Sequence, residues 1–161
     1  MKLRYSRIES LLEIAAAAAI LAGGVLLFKY WSQLPPEVPR HFDFRGTPDA
    51  WGGKGMVPAL FVTELLLYLF LTLIRIFGPR FSKKGSSQHS LSLAMELLTW
   101  TKAAVAISFT YLLWSVIAIA LGRAAALAPL FMPLFIGFTL AVVGLYTVLI
   151  FRAEKEAQQD R

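Results

Sequence analysis

Four stretches of this chain are long and almost wholly apolar: Leu11–Phe28, Val57–Phe77, Ala103–Leu121 and Leu127–Phe151. Crossing the roughly 30 Å hydrocarbon core of a bilayer takes about 20 consecutive apolar residues as a helix, and each stretch is long enough to span. Inside lipid every backbone amide must be satisfied within the segment, so spans of this kind fold as helices. The expectation is an all-α integral membrane protein: one bundle of four transmembrane helices, with an ordered extracytoplasmic loop at residues 31–56 between the first and second. Leu91–Trp100 reads as an amphipathic or extended helical approach to the third span.

Composition narrows the function classes. With 57% hydrophobic and 16% charged residues, the chain has too little polar sequence for a large soluble domain, since soluble domains carry about 25% charged residues. The absence of cysteine excludes disulfides, thiolate zinc sites and thiol catalysis. A net charge of +6 does not indicate nucleic-acid binding, because the basic residues flank hydrophobic spans instead of gathering on one water-facing surface.

The first span follows Lys2, Arg4 and Arg7 and ends Phe28-Lys29-Tyr30-Trp31, not in the small residues of a cleavage site, so it reads as an uncleaved signal anchor. Lys2, Arg4, Arg7, Arg75, Arg80, Lys83, Lys84, Lys102, Arg152, Lys155 and Arg161 fall on one side of the membrane. Lys29, Arg40, Arg45, Lys54 and Arg123 fall on the other. The positive-inside rule therefore puts both termini in the cytoplasm and residues 31–56 outside. Ala15, Ala19 and Gly23 on the first helix, and Gly137 and Ala141 on the fourth, form small-xxx-small faces suited to close helix packing. Tyr30, Trp31 and Trp51 at the outer boundary, and Trp100 at the inner one, suit interfacial belts. Lys83-Lys84 suits anionic headgroups, and Glu13 and Glu96 read as solvated or snorkelling. His89 lies on the wrong side to join His41.

The loop WSQLPPEVPRHFDFRGTPDAWGGKGM differs in kind from the rest. Pro35, Pro36 and Pro39 stiffen it and favour extended backbone. Extended chain alternates its faces, which would put Phe42 and Phe44 against the helix ends or the lipid boundary and His41 and Asp43 together on the opposite side. Arg45-Gly46 and Thr47-Pro48-Asp49 read as turns that return Asp49 toward His41.

Leu34-Pro35, Val38-Pro39, His41-Phe42, Gly46, Pro48-Asp49 and Lys54 resemble the signature of the small multi-pass membrane domain of unknown function at the N-terminus of SdpI-like proteins. The resemblance covers roughly residues 30 to 58; elsewhere it is one of hydropathy. It implies a protein of the prokaryotic cytoplasmic (inner) membrane, with a role in immunity to a secreted killing peptide or in signalling.

Imidazole and carboxylate together are ligands for zinc and similar divalent ions, so His41, Asp43 and Asp49 form a candidate metal set. The competing reading is that the carboxylates cap turns and fix the imidazole. Glu64 lies seven residues beyond Val57, about 10 Å into the core. A charged acid that deep costs on the order of 2.5 to 3.5 kcal/mol, so Glu64 either has a partner or is protonated. Lys54 and Arg123 are the candidate cations, and Thr110 and Tyr111 the candidate hydrogen-bond donors. Glu64 is expected to join His41, Asp43 and Asp49 at the floor of an outward-facing cavity, or else to make an interhelical hydrogen bond.

The leading function is an envelope protein that binds a peptide, lipid or ion at its outer face. His41, Asp43 and Asp49 would make polar or metal contacts, Phe42 and Trp51 apolar ones, and Arg45 and Lys54 anionic ones. Membrane lipids and a secreted peptide or small ligand are the expected partners. The alternative is a metal-dependent membrane hydrolase using His41, Asp43 and Asp49, with Glu64 as general base. A transporter is disfavoured by the single intramembrane acid and the lack of inverted repeats.

Overall fold

The computed structural model describes residues 5–81 and 87–159. Lys2, Arg4, Lys83, Lys84 and Arg161 of the orientation count, and the expected headgroup contact of Lys83-Lys84, lie outside the described residues.

Four helices carry the fold: α1 (Arg7–Tyr30), α2 (Met56–Phe77), α3 (Gln88–Ala120) and α4 (Phe131–Gln159). Each is long and apolar enough to cross a membrane, so the chain is a multi-pass membrane protein. Local sequence sets the ends. Ser6 and Glu9 form a reciprocal capping box at the start of α1, which satisfies two otherwise orphaned donors. Ser87 caps α3 through the Ser90 amide. The end of α3 is closed by the Gly122 and Arg123 amides bonding back to the carbonyls of Ile119 and Ala118, the pairing of a Schellman motif.

Two boundaries differ from the sequence reading. Leu91–Trp100 is not a separate approach but part of α3, one unbroken helix of 33 residues; at 1.5 Å per residue it is about 50 Å long and extends well beyond a 30 Å core. Leu127 does not begin the fourth span. It lies buried in the link before α4, held by a backbone bond described below.

The bundle is built around α3. Half of its most apolar window is buried inside the protein, against 6% for α4, because α1, α2 and α4 all pack on α3. The small face of α1 is made by Ala16, Ala19 and Gly23, with Ala16 fully buried against Ala103 and Ala106; Ala15 is its neighbour, not its centre. On α4 the expected small face is not packed, since no atom stands within 4 Å of the place a Gly137 side chain would occupy.

Between α1 and α2 the loop folds as an antiparallel hairpin, β1 (Glu37–Phe42) and β2 (Pro48–Gly53), after one 3₁₀ turn at Trp31–Gln33. Val38 is fully buried in a cluster with Tyr30, Leu34, Val57, Leu113 and Ile117. This cluster seats β1 on the ends of α1, α2 and α3, while among the described residues β2 pairs only with β1.

Candidate functional site: the hairpin and the acid beneath it

The turn joining the strands is ordered by its own residues. Asp43 Oδ1 accepts from the backbone amides of Arg45 and Thr47, at 2.9 and 2.8 Å, and the Asp43 amide donates to the Thr47 carbonyl at 2.8 Å. Asp residues make such turns by satisfying local amides with their side chains. Gly46 follows with φ +81°. A Cβ there would stand 2.9 Å from Leu127 Cβ, so the turn requires glycine twice over, for its backbone and for its contact. The Gly46 carbonyl accepts from the Leu127 amide at 2.9 Å, which ties the hairpin tip to the link between α3 and α4.

The strand pairing is irregular on either side of His41. Simple alternation therefore fails at this point, as expected where an extra residue is accommodated. His41 and Asp43 have different partners, Asp43 the turn amides and His41 the opposite strand. His41 is opposite Ala50, and its Nδ1 lies 2.6 Å from Asp49 Oδ1, with both side chains substantially exposed. Asp49 and Trp51 are two residues apart on β2 and share its outer face, so His41, Asp49 and Trp51 form one exposed patch. Phe44 does not pack down against the helix ends; it is 92% exposed at the turn. Phe42 does pack against the cluster under β1. It also lines a groove of about 360 Å³ between β1 and the ends of α2 and α3, with Arg40, Met56, Leu60, Leu112 and Val116.

Glu64 is 1% exposed and lies between α1, α2 and α3. Its Oε1 is 2.8 Å from Thr110 Oγ1, which is also 2.9 Å from the carbonyl oxygen of Ala19. Its Oε2 has no hydrogen-bond partner and faces Gly23, where a Cβ would stand 3.4 Å from it. Of the candidate partners, Thr110 is the one in contact. Tyr111 Oη accepts from the Ala128 amide at 2.8 Å. Lys54 Nζ lies 4.7 Å from the centre of the Trp31 ring, and the Arg123 guanidinium 4.9 Å from that of Tyr30.

The four-residue metal set does not assemble. His41 is paired with Asp49, Asp43 Oδ1 is engaged by two backbone amides of its own turn, and Glu64 lies in the helix bundle. Among the described residues no three His, Asp or Glu side chains converge closely enough to hold a metal ion. The hydrolase reading needs that ion and its general base on one site, and the geometry separates them.

Charge is also buried where the sequence reading placed none. Glu13 does not snorkel: it pairs with Lys102, Oε1 to Nζ at 2.6 Å, and Lys102 is 1% exposed. The Lys102 ammonium also donates to Thr72 Oγ1 and lies over the Tyr68 ring. Nearer the end of the bundle away from the hairpin, Glu9 Oε1 pairs with Arg75 Nη2 at 2.7 Å, and Arg75 donates to the Met95 carbonyl. Tyr5 stacks on that guanidinium at 3.9 Å. Its hydroxyl is pushed above the ordinary value by burial and, next, by the Glu13 carboxylate. Glu9, Glu13 and Glu64 thus all lie within the helix packing, Glu9 and Glu64 buried and Glu13 partly so, which removes one of the two arguments against a transporter. The signal was available: Glu9, Glu13, Arg75 and Lys102 each interrupt an apolar helix, and opposite charges at matching depths on neighbouring helices pair inside.

With that geometry in place, the comparisons with known proteins add one finding. Residues 18–71 match the family model described as Domain of unknown function (DUF1648). The matched segment is about a third of the chain and runs from the middle of α1 through the hairpin into α2, so it contains His41, Asp43, Asp49, Trp51 and Glu64. No curated protein and no solved structure matches.

Proposed function

We propose that this chain is a cell-envelope protein of the prokaryotic cytoplasmic membrane, with both termini in the cytoplasm, that receives an extended peptide on its outward-facing hairpin. The observation that carries the reading is the free edge of β2. Among the described residues the sheet has two strands, β1 is seated on the helices, and β2 has one edge paired and the other unpaired. An unpaired edge presents alternating backbone donors and acceptors, which an added strand satisfies. On the exposed face of the hairpin stand His41 of β1 and Asp49 and Trp51 of β2, two polar groups and one large ring, the kind of side-chain contacts that give strand addition its specificity. An exposed ion pair stabilises a fold by at most about 1 kcal/mol, so folding alone gives little reason to keep the His41–Asp49 pair at the surface.

The resemblance of residues 30–58 to SdpI-like proteins supports immunity to a secreted killing peptide as the most concrete form of this function. Arg45 and Lys54, on the turn and at the end of β2, would contact acidic groups of the peptide.

The test is to express the chain in a sensitive host and challenge it with the killing peptide of an SdpI-type system. Protection is expected with the wild type, and a clear reduction with Trp51→Ala and with His41→Ala at equal membrane expression. Equal killing with and without the chain removes the immunity reading. Undiminished protection by both variants removes the hairpin from it.

A further inference from the structure

Three acids lie between α1, α2 and α3, Glu9 and Glu64 buried and Glu13 partly so, and they differ in one respect. Glu9 has Arg75 and Glu13 has Lys102. Among the described residues no cation pairs with Glu64.

The groups around Glu64 can be named element by element. On α1 it meets Ala19 and Gly23, and the nearest charged residue along that helix toward the far end is Glu13, engaged with Lys102. On α2 the next titratable group is Tyr68, one turn away, under the Lys102 ammonium. On α3 it meets Thr110 and Leu113; Lys102 is eight residues off, about 12 Å along the axis. From the hairpin end, Lys54 and Arg123 are held over Trp31 and Tyr30. Nothing in this set supplies a positive charge to Glu64.

Proton counting then decides its state. Thr110 Oγ1 carries one proton but lies within hydrogen-bond distance of two oxygens, those of Glu64 and of the Ala19 carbonyl. The Ala19 carbonyl cannot donate. If Glu64 were a carboxylate, one of the two contacts would be two acceptors facing each other without a proton, and the charge would stand in a dry interior. If Glu64 is a carboxylic acid, both contacts are hydrogen bonds running in one direction.

We propose that Glu64 is held as a neutral carboxylic acid whose proton bonds to Thr110 Oγ1, the Thr110 hydroxyl in turn donating to the Ala19 carbonyl, so that one proton fastens α2 to α3 and α3 to α1. Loss of that proton leaves an uncompensated charge against Gly23 and breaks one contact of the chain. The packing of α1 on its neighbours then opens. Leu113, one turn from Thr110, belongs to the cluster under β1, so the proton bears on the seat of the hairpin as well. This inference stands apart from the peptide reading and is tested without any ligand.

The measurement is infrared spectroscopy of the purified chain in phospholipid vesicles at neutral pH. The wild type should show the carbonyl stretch of a protonated carboxylic acid; the band should be absent in Glu64→Gln and displaced in Thr110→Val. Identical wild-type and Glu64→Gln spectra in that region overturn the proposal. A second measurement covers the case in which a variant folds poorly. The chain has no cysteine, so spin labels placed on the exposed positions Val25 and Val62 as Val25→Cys and Val62→Cys report the separation of α1 and α2. The distance should lengthen at alkaline pH with Glu64 in place and stay constant with Glu64→Gln, and a pH response that Glu64→Gln leaves intact overturns the clamp.

Discussion

Gly46 and Lys102 show how much a single residue decides here. Gly46 combines a positive φ with backbone-to-side-chain contact at Leu127, so Gly46→Ala should cost on the order of 1 to 3 kcal/mol of local strain. Faster amide hydrogen exchange at Leu127, whose N–H bonds to Gly46, is the expected reading, and unchanged protection would show that the turn adapts. Lys102 is the opposite kind of case, a charge whose burial is tolerated only because Glu13 and Thr72 receive it. Lys102→Ala should destabilise the bundle by about 3 to 5 kcal/mol by stranding Glu13, whereas Glu13→Leu combined with Lys102→Met should recover most of the loss. Equilibrium unfolding in mixed micelles checks both. The sequence reading treated Lys102 as a topology marker and Glu13 as solvated, because charge counting along one helix does not reveal that two charges on different helices meet.

At the scale of elements, the spans were legible and their ends less so. Apolar length alone gives four helices, since a bilayer leaves few other solutions. It does not show that α3 runs without a break from Gln88, because a helix leaving the membrane needs no change of backbone, only of side chains. The hairpin was half legible. Three prolines predict extended chain and Arg45-Gly46 a turn, as found; Pro48 and Asp49, read as a second turn, instead begin β2. The return of Asp49 to His41 was legible, whereas the interrupted register beside His41 was not, because a bulge leaves no mark in the alternation of residue types. Asp49→Asn, at this exposed position, should change thermal stability by less than about 1 kcal/mol yet weaken peptide capture by roughly 5- to 30-fold, the value of one or two lost hydrogen-bond contributions. Thermal unfolding and peptide titration on the same preparation separate the two effects. A large stability loss would make the pair a structural one.

For the molecule as a whole, the proposed direction of insertion rests on where the basic residues fall, and Phe44 gives a direct way to test it. The side chain is almost fully exposed at the hairpin tip, and the chain is otherwise free of thiols. Phe44→Cys on intact cells should react fully with a membrane-impermeant maleimide. Reaction only after the membrane is permeabilised would invert the topology. The small-residue pattern was a partial guide at this scale: it located the α1–α3 seam through Ala19 and Gly23, but on α4 the same pattern faces outward, because small side chains permit close approach without compelling it. Little of α4 is buried, and its hold on the bundle is one flank of α3. The bond from Gly46 to Leu127 therefore acts as a crossbar. The link into the last helix is fastened to the strand tip, so that end of α4 moves away from α3 only by pulling on the turn, and a load placed on the hairpin is passed to α4 through the link.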